Sequence, residues 1–369
     1  AYTIFYMGVN VGSFAAPLIC GFLGDTGNPQ DFKWGFLASG IMTLFTVVLF
    51  ETQKNKYLFS PSGEPIGIVP DARREKKEDK AEHISHPKMD KRTKVRNIII
   101  ITALTVALIA FFSYAFSDDW ISVGIFTACI VFPVLILLDG SLTKVERSRI
   151  FVIYIVAFFV IFFWAAYEQA GASLTLFASE QTDRSIFGWE MPASWFQSFN
   201  PLFVVILAYI MPGIWGFLNK RNMEPASPTK QAIGLLLLSL GYLFICFGVK
   251  DAIPGVKVSM IWLTGLYFIH TMGEIALSPI GLSMVNKLSP LRFASLMMGI
   301  WYLSTATANK FAGMLSGLYP EDGKVKSILG YQIATMYDFF MLFVIMSGVA
   351  SLILFLLSKK LQKMMHGVE

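Results

Sequence analysis

The chain reads as an all-α polytopic membrane protein. Three observations carry that reading. Apolar stretches of about 20 residues recur along the whole chain; charge is confined mostly to the connections between them; and mean hydropathy is +0.59, with 55% hydrophobic and 15% charged residues. Backbone polar groups in lipid are satisfied within a helix, so each stretch is expected to be helical. Ten spans are placed near 3–23, 34–51, 96–116, 119–138, 149–178, 195–218, 230–249, 257–286, 293–318 and 331–358.

In the first span, Phe5-Tyr6-Met7-Gly8-Val9-Asn10-Val11-Gly12 sets Tyr6 and Asn10 on one helix face. Gly8 and Gly12 are spaced for close approach of another helix, and such a seam accounts for the glycines. It does not account for an amide beside a phenol. Between the second and third spans, Arg73-Arg74-Glu75-Lys76-Lys77-Glu78-Asp79-Lys80 is a mixed-charge run, read as a solvated linker.

The fifth span carries Phe162-Phe163-Trp164-Ala165-Ala166-Tyr167-Glu168-Gln169. A carboxylate at membrane depth costs several kcal/mol, about 2.5–3.5 on insertion scales, and so marks a bundle interior or a water-filled path. Trp164 lies one turn before Glu168. The sixth opens on Trp195-Phe196-Gln197-Ser198-Phe199-Asn200-Pro201, where Pro201 is expected to loosen the helix beside Gln197 and Asn200. In the eighth, Glu274 follows His270 by four residues. Pro279 deprives the Ile275 carbonyl of its partner, and Gly273 and Gly281 bracket the spot. Bent helices around mid-depth polar groups are a device of transporters. His270 reads either as a tuner of Glu274 or as a packed donor to a neighbouring polar group. The ninth span holds Trp301, Tyr302 and Asn309-Lys310. Lys310 is read as snorkelling to the outer surface, with cavity lining as the alternative. Asp338, near the start of the tenth, has no assigned role.

Lys and Arg cluster at 52–96, at Lys144, Arg147 and Arg149, at Lys220, Arg221 and Lys230, at Lys287 and Arg292, and at Lys359, Lys360 and Lys363. These connections are placed in the cytoplasm and the alternate ones outside. Topology thus accounts for the net charge of +5, and a nucleic-acid partner is excluded. Cys20, Cys129 and Cys246 lie far apart in apolar runs and read as filler. The chain has no HExxH and no second intramembrane histidine, so no metal or other cofactor is expected. With neither a GxSxG context nor paired aspartates, an intramembrane enzyme is disfavoured. The start at Ala1, within a few residues of a span, reads as a fragment of a longer protein.

The series Phe-Tyr-Met-Gly-Val-Asn-Val-Gly (5–12), Trp-Ala-Ala-Tyr-Glu-Gln-Ala-Gly-Ala-Ser-Leu (164–174), Phe-Asn-Pro (199–201), Gly-Glu-Ile-Ala-Leu-Ser-Pro-Ile-Gly-Leu-Ser-Met-Val (273–285) and Gly-Ile-Trp-Tyr-Leu (299–303) resembles the proton-coupled oligopeptide transporter family of the major facilitator superfamily. The resemblance implies a partial major facilitator fold: helices 5 and 6, an inserted hairpin pair as in bacterial members, and helices 7 to 12, the first four being absent. The corresponding division is 1–51 for the last two helices of an N-terminal bundle, 52–95 for a charged cytoplasmic linker, 96–148 for the inserted hairpin and 149–369 for a C-terminal six-helix bundle.

The resemblance further implies that Tyr6 and Asn10 hydrogen-bond a peptide backbone, that Trp164 walls the cavity, that Asn200 and Glu274 hold the peptide's amino end, and that Ser278 and Trp301 line side-chain pockets. It makes Glu168 the proton-coupling carboxylate, paired with a lysine of the absent fourth helix. The implied function is proton-coupled symport of di- and tripeptides by alternating access. The protein would be a monomer, multi-pass in the cell (inner) membrane, with protons as co-substrate. A major facilitator carrier of another small solute (nitrate, a drug or an amino-acid derivative) is the alternative.

Overall fold

The computed structural model describes residues 2–59, 90–116, 119–250, 256–321 and 324–368, with the side chains of residues 2–7 and Tyr209 outside the description. Much of the charged linker at 52–95, and the side chain of Tyr6, therefore lie outside the described residues. The predicted class holds. Eleven α-helices run as α1 (Tyr2–Gly24), α2 (Phe32–Tyr57), α3 (Lys91–Phe116), α4 (Trp120–Leu137), α5 (Lys144–Tyr167), α6 (Ser173–Glu180), α7 (Phe199–Lys220), α8 (Ser227–Val249), α9 (Met260–Leu288), α10 (Ala294–Ser316) and α11 (Met336–Met364) among the described residues. Eight of the described helical stretches are long and apolar enough to cross a membrane.

Polar residues at the helix ends explain several boundaries. Thr143 and Glu146 form a capping box that starts α5, as Thr335 and Asp338 do for α11. Asp338, ambiguous in the sequence, is thus a cap. Asp119 accepts from the Ser122 amide at the start of α4. Pro201 falls in the first turn of α7, behind a short 3-10 segment at Ala193–Ser198. There an amide would have no helical partner in any case, so the expected loosening does not arise from this proline. Pro279, by contrast, lies inside α9.

Two spans differ from their expected form. The fifth is broken: α5 ends at Tyr167, Glu168–Gly171 forms a 3-10 turn, and the short α6 follows. The tenth begins later than 331, because Lys326–Ile328 (β5) and Tyr331–Ile333 (β6) pair as an antiparallel hairpin. Its turn places Leu329 at φ 48° and Gly330 at φ 84°, the left-handed geometry that favours glycine. Two more small sheets sit at the same end. Thr182–Asp183 (β1) runs parallel to Val258–Ser259 (β4), and Ser185–Ile186 (β2) pairs with Trp189–Glu190 (β3). At the opposite, basic end, Arg149 donates to the Met365 carbonyl at 3.2 Å and Arg292 to that of Ser141 at 3.1 Å.

Helix α8 packs along both α9 and α11, α10 lies on α5, and α7 lies between α9 and α1. The α8–α9 crossing is close because both helices offer a glycine: a Cβ at Gly234 would sit 2.9 Å from the Gly273 carbonyl oxygen, and one at Gly273 2.8 Å from that of Gly234. Hydroxyls stitch α8 to α11, Ser239 donating to Val344 O at 2.9 Å and Ser351 to Ala232 O at 2.7 Å. The expected seam on α1 is not used in this way, since nothing described approaches within 4 Å of a Cβ placed at Gly8 or Gly12.

The hairpin of α3 and α4 leans on α10 through α4. Lys310, expected to snorkel, instead pairs with Asp119 at 2.6 Å. Asp119 also accepts from the Ser122 amide at 3.1 Å and from its hydroxyl at 2.8 Å.

Two outcomes are expected. Gly234→Ala should lower stability by about 1–3 kcal/mol through overpacking against Gly273 and Leu277, read as the thermal midpoint in detergent. Gly124→Ala, with open space around it, should change little. A spin-label distance between α4 and α10 should be longer in Lys310→Ala than in the natural protein at pH 7, through loss of the pair with Asp119.

Candidate functional site

Three helices meet at Glu274. Tyr167, the last residue of α5, donates its hydroxyl to Glu274 Oε2 at 2.5 Å. Asn200, in the first turn of α7, donates the two hydrogens of Nδ2 to the same oxygen at 2.8 Å and to Thr271 Oγ1 at 3.1 Å, with the Tyr167 hydroxyl oxygen also against the amide. Thr271 spends its own hydrogen on the Tyr267 carbonyl one turn back along α9, at 2.7 Å. Thus Oε2 is engaged by two donors, while Oε1 accepts from none of the described residues. Glu274 itself is half-buried.

The local folding explains the convergence. Ending α5 at Tyr167 and continuing as a 3-10 turn swings the following residues off the helix axis. The turn is pinned by Gln169, fully buried, which donates to Ala165 O at 3.1 Å and Ala312 O at 3.0 Å and accepts from Ser173 at 2.6 Å. The Tyr242 hydroxyl on α8 donates to the Ala166 carbonyl at 2.7 Å. Around the Tyr167 ring, Phe163 stacks at 5.5 Å and Trp164 meets it edge-on at 5.3 Å.

Of the residues singled out in the sequence, the structure brings Asn200 and Glu274 into direct contact and Trp164 one ring away. Glu168 follows Tyr167 but is exposed and makes no hydrogen bond or ion pair among the described residues. The two carboxylates are therefore not an equivalent buried pair, and Trp164 lies edge-on to Tyr167 and Phe163. Ser278 is half-buried one turn beyond Glu274. Trp301 is buried at the α10–α9 contact, its ring 2.4 Å from where a Cβ on Gly281 would sit. Asn10 is buried on α1, a helix tied to the α7 entry by a Ser198 hydrogen bond to Phe14 O at 2.8 Å. Gln197 reaches Thr175 at 3.1 Å on α6, away from Glu274.

His270 is settled by its partner. It is buried, its Nε2 lies 3.2 Å from the Leu238 carbonyl on α8, and its ring packs 4.8 Å from that of Tyr242. It serves the helix contact. Sequence reasoning missed Tyr167 and Thr271 as members of the cluster. The available signal was spacing and chemistry: Thr271 precedes Glu274 by three residues on one helix face, and Tyr167 is a phenol at the same depth as Glu168. Among the described residues no group of three or more His, Cys, Asp or Glu stands close enough to hold a metal ion.

Comparison with known proteins gives a consistent set of relatives. A family model described as the POT family matches residues 1–329. The peptide transporter YePEPT of Yersinia enterocolitica is 30% identical over 326 residues, covering 86% of this chain and 60% of that protein. The uncharacterized transporter YclF of Bacillus subtilis is 31% identical over 374 residues, covering 100% of this chain and 68% of that protein. A di-/tripeptide transporter of Lactococcus lactis is 28% identical, covering 69% of its own length. Among solved structures, a mutant POT peptide transporter in complex with alafosfalin superposes with a TM-score of 0.72 at 28% identity, covering 99% of this chain and 68% of that one. A POT family transporter in complex with 5-aminolevulinic acid gives 0.69 at 26%, covering 98% and 69%. The chain thus spans roughly three-fifths to two-thirds of these relatives' length.

The turn that presents Tyr167 depends on Gln169. Gln169→Leu should cost about 1–3 kcal/mol, because the Ala312 carbonyl and the Ser173 hydroxyl lose a buried partner. A lowered thermal midpoint together with faster amide exchange confined to 168–180 would bear this out; an unchanged midpoint would count against it.

Proposed function

The chain belongs to the POT family, a family of transporters, and from that premise we propose that it forms part of a proton-coupled symporter of di- and tripeptides working by alternating access. The observation that carries this reading is the Glu274 carboxylate at membrane depth, held through one oxygen by Asn200 and Tyr167 and open at the other. A peptide carries an ammonium at one end, and such an acceptor in an apolar bundle is suited to receive it. Asn200 steadies the carboxylate and lies within reach of the same amino group. Trp164 supplies an aromatic wall that accepts varied side chains with little hydrogen-bond selectivity. Asn10, and Tyr6 on the same helix, would contact the peptide backbone, while Ser278 and Trp301 would lie along the side-chain path.

Glu168 takes the proton-linked role. Its exposure on the α5–α6 turn, without an ion-pair partner among the described residues, suits a carboxylate that exchanges protons and partners during a cycle. We further propose the division into a helix pair at 1–51, a charged cytoplasmic linker, a hairpin at 96–148 and a six-helix unit at 149–369, with the basic connections facing the cytoplasm. The Lys310–Asp119 pair supports treating the hairpin as a body docked on α10. No chemical change in the substrate and no resident cofactor is part of this reading, which takes the protein as a monomer.

Reconstitution in liposomes with a lumenal pH dye tests it. Added dipeptide should drive proton movement, and a proton gradient should drive dipeptide accumulation. Glu274→Gln should raise the apparent KM for a dipeptide about tenfold or more; undiminished coupled uptake would remove the clamp assignment. Glu168→Gln should retain dipeptide counterflow and lose gradient-driven accumulation. Transport of another solute that dipeptides fail to compete with would favour the alternative carrier class.

A further inference from the structure

The hydrogen positions around Glu274 are fixed by elimination. Tyr167 has one hydroxyl hydrogen and directs it to Oε2 at 2.5 Å, and the two amide hydrogens of Asn200 go to the same Oε2 and to Thr271 Oγ1. Thr271 has already given its hydrogen to the Tyr267 carbonyl, so toward Asn200 it only accepts. With the Thr271 hydrogen committed to Tyr267, the remaining donors run toward Oε2 or toward Thr271, and none of the described residues donates to Oε1. The carboxylate is gripped by one oxygen from two other helices, which leaves it little rotational freedom. Bonds of this kind to a charged acceptor are the stronger ones.

Tyr167 is set apart from the rest of the grip by where it sits. Its ring is held by Phe163 at 5.5 Å, Trp164 at 5.3 Å and His270 at 6.2 Å. The ring would stay in place without its hydroxyl, so packing and positioning are separable at this residue. It also terminates α5, one residue before Glu168, so the grip on Glu274 is exerted from the very turn that carries the other carboxylate.

We propose that Tyr167 is a positioning residue for ammonium recognition: its hydroxyl holds Glu274 by Oε2, so that Oε1 stands free and oriented for the amino terminus of a peptide. Thr271 acts one step further back, as the second anchor of Asn200. This rests on the reading of Glu274 as the group that receives the ammonium.

The test compares the natural protein with its Tyr167→Phe variant in liposomes, using alanylalanine and its des-amino analogue N-propionylalanine as competing ligands. With the natural protein, alanylalanine should bind far better than the analogue. In Tyr167→Phe the KM for alanylalanine should rise about tenfold with kcat within about twofold, while the inhibition constant of the analogue stays unchanged. A merely structural role would move both ligands together. If the natural protein does not discriminate between the two ligands, the reading of Glu274 fails and the proposal with it. If it discriminates and Tyr167→Phe keeps the same ratio, the positioning role of Tyr167 is overturned while Glu274 stands. Should Tyr167→Phe fail to fold, Thr271→Val decides by the same ratio: a fall of about threefold supports the proposal and no change overturns it.

Discussion

The energetic cost of a carboxylate at membrane depth organises this site. Glu274 cannot be left in hydrocarbon without donors, and the hydroxyl of Thr271 on its own helix is committed to the Tyr267 carbonyl. The structure supplies them from α5 and α7, as Tyr167 and Asn200, with Thr271 holding Asn200 from behind. Bringing these elements together requires both α5 and the entry to α7 to depart from straight helices, and both do, through the 3-10 segments Glu168–Gly171 and Ala193–Ser198. The irregular backbone at the end of α5 is tolerated because its carbonyls are met inside the protein, Ala165 by Gln169, Ala166 by Tyr242 and Ala170 by Thr175.

Around that point the bundle is held by close packing and small polar contacts, since lipid tails offer apolar helices no hydrophobic reason to prefer one another. Gly234 and Gly273 let α8 and α9 touch backbone to backbone, and Ser239 and Ser351 bond α8 to α11. His270 belongs to this set. Its bond to the Leu238 carbonyl secures α9 against α8 just before the functional cluster begins, so a residue at catalytic-looking spacing from Glu274 fixes a helix and leaves the carboxylate to other partners. The hairpin is tied differently, by an ion pair at its outer end.

Legibility in the sequence followed the range of the physics. Glu274 and Asn200 stood out because an acid or amide in an apolar run is anomalous wherever the chain goes next, and the structure brings the two into contact. Tyr167 did not stand out, since a phenol in an aromatic-rich run is ordinary until its partner is known. Pro201 was over-read: the same residue that bends a helix interior is harmless in a first turn, and the turn began later than hydropathy suggested. Tyr331 and Ile333 looked like the start of a span because their apolar character does not distinguish a strand of a small hairpin from a helix; the turn at Leu329-Gly330 decides it.

The sequence by itself determined the membrane class, the helical character of its apolar stretches, and the presence of two carboxylates within them. All of these are set by hydrophobic length and by the price of burying charge, which act locally along the chain. The tertiary structure decided that Glu274 is gripped and Glu168 is left open, that His270 packs, and that Lys310 pairs with Asp119. Those outcomes depend on which side chains meet where helices cross: Tyr167 lies 107 residues from Glu274, and Asn200 lies 74 residues from it.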